Sequence, residues 1–283
     1  MCIRDRVYAM LEEADCIVAV GFDVVELVKP WDEKAPLIWI ANWPNEDPSI
    51  AADVALVGAV APTLGCLADD ASQSRSGWGT ARVSAFRNEL SRIALSHPTP
   101  GRMRPQSMLA AVRSATPRET LITTDVGSHK ILTALDWPAY VPNRYLVSNG
   151  LSAMGYGLAA AIAAAHTLGQ PAVAISGDAG FAMVMGELGL LRRLNLPVIV
   201  VVMNDSALDL IRSAQVRNDK PVYGTEILNP NFAQIAAAFG IHYQRVDDER
   251  GAVQAVRQAI AGGQPTLLDA AIDPASYPTT PKR

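Results

Sequence analysis

The chain has 283 residues, 49% of them hydrophobic, and a formal charge of −4. Its length exceeds what one core usually supports, so two domains are expected, and its apolar content excludes a disordered chain. The balance of charge leaves no basic footprint for nucleic acid.

The three cysteines, Cys2, Cys16 and Cys66, form no CxxC pair, so neither a disulfide framework nor a zinc site is expected. A reducing, cytoplasmic compartment fits them. No apolar run reaches the ~20 residues that span a bilayer, and no membrane partner is expected. The first residues, "MCIRDR", carry no apolar signal core and match nothing that follows.

In chain order, "DCIVAVG" reads as a buried strand, followed by "PLIWIA" and "DVALVG" and by a helix from about Pro62. The pattern then loosens, holding one helix ("ARVSAFRNELSRIAL") before "SHPTPGRMRP". This divides the chain into a first unit over 1–95, a linker over 96–104 and a second unit over 105–283. In the second unit a helix opens at Pro105, the strand "TLITTD" follows, then a helix near Ser128 and the short strand "RYLVS". An Ala-rich helix is expected over 153–168. The strands "PAVAIS" and "PVIVVVM" are separated by a helix carrying Leu188, Leu191 and Leu194. Asn229-Pro230 suits a helix start, Gly240 a stop, and "PTLLDAAI" a last strand. Val/Ile/Ala runs alternating with helices predict an α/β fold with doubly wound parallel sheets in two units, the second complete and the first not.

Each of the two central strands delivers a carboxylate at its end, Asp178 in "SGDAG" and Asp205 in "MND". Ligands of such sheets sit beyond the carboxyl ends of the strands. Ala179 and Gly180 are small enough for their N–H groups to approach phosphate oxygens at a helix start. A carboxylate beside a phosphate requires an intervening cation, and carboxylates plus phosphate oxygens are the usual Mg²⁺ ligands. Asp178 alone reads more readily as a helix N-cap; its pairing with Asp205 favours a metal-bridged diphosphate site. "GDAG" is neither a P-loop nor GxGxxG, so a nicotinamide-binding Rossmann domain is not expected.

"GDAG…ND" resembles the diphosphate motif of thiamine diphosphate-dependent enzymes. "TTDVGSHKIL" is similar to the loop that opens their cofactor site, and "VSNGLSAMGYGLAAAIAAA" is similar to a stretch of the acetolactate synthase-like group. "ADCIVAVGFDVVELVKPW" resembles the later half of that group's central domain. The resemblance runs from about Val7 onward.

By this resemblance the chain is expected to use thiamine diphosphate and Mg²⁺ on 2-oxo acids, decarboxylating them or passing the remaining fragment to an acceptor. Asp178 and Asp205 with the backbone carbonyl of Ala207 are the implied Mg²⁺ ligands. Gly127, Ser128 and His129 are the implied contacts to the phosphates from one loop, and Gly177, Asp178, Ala179 and Gly180 from the other. Met154 is the implied apolar wedge holding the cofactor bent, and the Ser152 carbonyl the implied acceptor for the aminopyrimidine. Leu208 and Ile211 suit either a substrate pocket or a core, and Glu187 reads as structural. Some relatives carry FAD on the central domain, a point the sequence leaves open. The family also implies a homodimer or homotetramer.

The glutamate that activates the cofactor in this family belongs to an N-terminal domain. The expectation is therefore an N-terminally truncated enzyme with no catalytic side chain of its own, inactive alone. A non-catalytic or split-subunit cofactor-holding protein is the alternative.

Overall fold

The computed structural model describes residues 9–22, 34–48, 50–71, 79–93 and 99–277. They fall into two compact units, 1–93 and 94–283.

The first unit holds a parallel sheet in the order β1 (Ile17–Val20), β2 (Leu37–Ala41), β3 (Val54–Val57), followed by α1 (Val60–Ala71) and α2 (Thr80–Ile93). Only β2 is buried, with Trp39 and Ile40 at its centre. The expectation that β1 is a buried strand fails, since its residues alternate and Val18 is 50% exposed. Its Val-rich run carries the β propensity of a strand, but no described element covers its outer face. Arg82 of α2 pairs with Glu13.

The second unit runs α3 (Pro105–Ala115), β4 (Leu121–Thr124), α4 (Ser128–Asp136), β5 (Tyr145–Val147), α5 (Tyr156–Leu168), β6 (Ala172–Gly177), α6 (Asp178–Val184), α7 (Leu188–Leu194), β7 (Val198–Asn204), α8 (Asp209–Arg217), α9 (Phe232–Phe239), β8 (His242–Val246), α10 (Glu249–Gly262) and β9 (Thr266–Ala271). Its six strands are all parallel, in the order β5-β4-β6-β7-β9-β8.

Both faces are covered, which is why β6 and β7 are continuous buried runs, apolar up to Ser176 and Asn204 near their ends, rather than alternating. Val173, Ile175, Ile199 and Val201 pack on one side with Met108 and Val112 of α3 and Val256 of α10. Ala172, Ala174, Val198 and Val200 pack on the other with Leu158 of α5, Leu188 and Leu191 of α7 and Phe232 of α9. Phe181 meets Phe232 edge-on, with centroids 5.3 Å apart. The doubly wound expectation therefore holds.

Three local expectations shift. The Ala-rich helix starts at Tyr156, because Gly155 holds φ 91 at its N-cap, where an added Cβ would lie 2.6 Å from Val184 Cγ1. The single helix expected between β6 and β7 is broken by a 3-10 turn at Met185–Glu187, with Gly186 at its centre. The start expected at Asn229-Pro230 falls instead at Asn231, whose side chain accepts from the Gln234 N–H. Gly240 ends that helix as expected, with φ 67.

Candidate cofactor and metal site

The chain crosses from β4 to β5 on one side and returns to β6 on the other, so the sheet's direction of winding reverses between β4 and β6. Clefts outside the carboxyl ends at such a reversal are where α/β sheets bind ligands. A cavity of about 130 Å³ lies there, lined by the loops after β4, β6 and β7. Of the residues expected from the sequence, Gly127, Ser128, His129, Met154, Gly177, Asp178, Ala179, Gly180, Asp205 and Ala207 line it. Ser152 is not among the lining residues; it takes φ 48, and its hydroxyl accepts from Lys130 Nζ at 3.1 Å. Leu208 and Ile211 line the cavity, so the core alternative falls, and Ile211 is 51% exposed. Glu187 lies in the 3-10 turn, outside the lining, and is exposed.

Asp178 is buried at the first turn of α6. Its Oδ2 accepts from the Ser206 N–H and from Asn229 Nδ2, each at 2.7 Å, and its Oδ1 accepts from the Ala179 N–H at 2.8 Å. The Ala179 N–H is thus engaged by its neighbour's carboxylate. Asp205 is half-buried, and its Oδ1 accepts from the Ala207 N–H at 3.0 Å. That turn is possible because Ser206 takes φ 60.

A third carboxylate, Asp209, was not foreseen. It accepts from Ser128 Oγ at 2.7 Å and pairs with Arg212 at 2.6 Å. Among the described residues neither Asp178 nor Asp205 has a salt-bridge partner. Burial therefore raises the Asp178 carboxyl above its usual range. Burial, then the charges of Asp178 and Asp209, pushes Asp205 up to about 7. Tyr277, also unforeseen, lines the cavity, and its phenol is raised by burial and then by Asp205, Asp209 and Asp178. Three carboxylates give the cavity a negative field. No group of three or more His, Cys, Asp and Glu among the described residues is placed to hold a metal. A cation here would take two carboxylates and a backbone oxygen.

Asp125, at the end of β4, is fully buried and binds the surrounding segments together. Its Oδ1 accepts from the Gly155 N–H at 2.8 Å and its Oδ2 from Ser176 Oγ at 3.0 Å. His129 hydrogen-bonds the backbone of Asp125, while its Nε2 is buried without a partner. Burial lowers the ring to about 4, against the opposing pull of the Asp125 charge.

The unfolded chain takes up that proton near pH 6.5, so the stability is intact above 6.5 and is lost as pH falls toward about 4. We expect His129→Gln to lose less stability than the wild type between pH 7.5 and 4.5, by roughly 2–3 kcal/mol in urea unfolding. Parallel pH profiles of the two proteins would show that His129 is not buried neutral.

Among the described residues no helix is long and apolar enough to cross a membrane. Cys16 and Cys66 are free thiols.

The family model for the C-terminal TPP-binding domain of thiamine pyrophosphate enzymes matches residues 125–270. The chain is similar to acetolactate synthase of Bacillus subtilis (strain 168), 25% identical over 280 residues, covering 93% of this chain and 48% of that protein. It is 33% identical to the acetolactate synthase isozyme 2 large subunit of Escherichia coli (strain K12) over 171 residues, covering 59% of this chain and 31% of that one. It is 29% identical to the acetolactate synthase large subunit of Parasynechococcus marenigrum (strain WH8102) over 275 residues, covering 91% and 43%. The chain therefore spans about half or less of the length of these relatives. The matched domain takes in more than half of the chain and the loops after β4, β6 and β7 that line the cavity; the chain belongs to the thiamine pyrophosphate enzymes.

Proposed function

We propose that this chain forms the thiamine diphosphate- and Mg²⁺-binding part of an acetolactate synthase-like enzyme acting on 2-oxo acids. In this reading the first unit belongs to the central domain of such an enzyme, and residues 105–283 form the cofactor domain. The observation that carries it is the meeting of Asp178 and Asp205 in one cavity at the sheet's reversal, with no cation among the described residues paired to either.

The residues present suit the cofactor. Two carboxylates without a counter-cation match a divalent metal, and the Ala207 backbone lies beside them. His129, whose buried Nε2 has no partner, lines the same cavity. An anion there would favour the protonated ring and make that nitrogen a donor. Gly177 and Gly180 line the cavity as well. Met154 supplies an apolar surface for the cofactor to bend over.

When bound, the cofactor supplies the nucleophilic carbon and the electron sink that 2-oxo acid decarboxylation needs. The chain's own residues would hold the metal and orient the diphosphate, and Leu208 and Ile211 would lend the cavity an apolar wall against water. None of the described residues lining the cavity is a glutamate, so the activating carboxylate of the family has no representative there. Assembly as a homodimer or homotetramer is part of this proposal.

Calorimetric titration of the purified chain with thiamine diphosphate, with and without Mg²⁺, tests the reading. Binding that requires Mg²⁺ supports it, and binding indifferent to Mg²⁺ overturns it.

A further inference from the structure

Behind Asp178 lies a line of polar side chains that runs to the edge of the sheet. Asp269 of β9 is buried, and its Oδ2 accepts from Arg245 Nη1 at 2.6 Å and from the Tyr243 hydroxyl at 3.0 Å, both on the edge strand β8. Burial, then the charge of Asp269, pushes the Tyr243 phenol up to about 12, which keeps it a donor. Asp269 Oδ1 accepts from Asn204 Nδ2 at 2.8 Å. Asn204 Oδ1 in turn accepts from Asn229 Nδ2 at 3.2 Å, and the same Nδ2 donates to Asp178 Oδ2 at 2.7 Å.

The direction of this line is dictated from its far end. A carboxylate only accepts, so Asn204 must turn its NH₂ toward Asp269 and its oxygen toward Asn229. Asn229 must then present its NH₂, the group that also reaches Asp178. Reversing Asn229 would set its oxygen against the Asp178 carboxylate. Asn229 Oδ1 is itself buried without a partner, so the amide is not oriented for its own benefit.

We propose that Asp269 is a positioning residue for the metal site, holding the Asp178 carboxylate in place through Asn204 and Asn229, with Arg245 anchoring the line at the sheet edge. This rests on Asp178 being a metal ligand. Outer groups of this kind usually change metal affinity by about 10–100-fold.

The test is Mn²⁺ binding to the full chain in excess thiamine diphosphate, followed by the electron paramagnetic resonance of free Mn²⁺. Asn229→Ala and Asp269→Asn should each weaken binding about tenfold, and the double variant should be no weaker than Asn229→Ala alone, because both act through one line. Additive losses, or wild-type binding by Asp269→Asn, would overturn the relay. Asp178→Ala separates the two claims: unchanged Mn²⁺ binding there refutes the metal reading itself. A large loss there with an unaffected Asp269→Asn refutes only the relay. If Asp269→Asn does not fold, Arg245→Gln replaces it, since that side chain is 48% exposed. It should weaken binding in the wild-type background and have no effect in Asn229→Ala; any other pattern overturns the proposal.

Discussion

Asp178→Ala is expected to weaken Mg²⁺-dependent binding of thiamine diphosphate by at least about a hundredfold, or about 2.7 kcal/mol. The substitution removes one of the two carboxylates proposed as metal ligands, Asp178 and Asp205, which line the cavity together with Asp209. Ligand that binds only the folded state stabilises it by mass action, by about 2.7 kcal/mol at a hundredfold excess over the dissociation constant. A thermal shift on adding cofactor and Mg²⁺ should therefore appear in the wild type and vanish in the variant. The unliganded variant should stay folded, because burial already disfavours the charged form of Asp178. Asp205→Asn is the matched control. It keeps an oxygen ligand and removes a charge that Asp178 and Asp209 both oppose, so binding should persist. Undiminished, Mg²⁺-dependent binding by Asp178→Ala would sink the metal bridge.

Gly180→Ala should be among the most destabilising single-methyl changes in the second unit. Helix propensity alone argues the other way, since alanine is favoured over glycine within a helix by about 1 kcal/mol. An added Cβ at Gly180, however, would lie 2.1 Å from Asp125 Oδ2 and 3.1 Å from its Cγ. Asp125 has no room to retreat, being fully buried and holding the Gly155 N–H and Ser176 Oγ. Overpacking of this kind costs about 1–3 kcal/mol, before the loss of the two hydrogen bonds. A fall in melting temperature of roughly 2–12 °C is expected, together with weaker cofactor binding, because Gly155 follows Met154 and Ser176 precedes Gly177. A melting temperature at or above the wild type's would show that the Asp125 cluster is looser than its distances indicate.

Much of the second unit was legible before its structure. The strands at 121–124, 172–177, 198–204 and 266–271 stand out as β-branched and alanine runs, and Gly240 marks its helix end by a left-handed residue. Asp178 and Asp205 are conspicuous because each follows an apolar run. Helices α8 and α10 and strand β8 went unread. The strand "HYQRV" carries three polar residues and lies at a sheet edge, where hydrophobic patterning is weakest. Helix α10 did carry signals, with Asp248 accepting from the Gly251 N–H at its start and Gly263 at its end.

The sequence by itself determined the alternation of strands and helices, the burial of the central strands and the two carboxylates at their ends, because these follow from local periodicity and residue type. The tertiary structure alone decided that β9 lies between β7 and β8, and that winding reverses beside β4. It also decided that Asp209 and Tyr277 line the cavity, that Asp125 and Asn229 hydrogen-bond to Gly155 and Asp178, and that Asp269 meets Asn204. Asp125 and Ser176 are 51 residues apart in the chain, and Asn204 and Asp269 are 65 apart. Which polar groups meet across such spans depends on strand order and register, and short-range patterning carries no information about either.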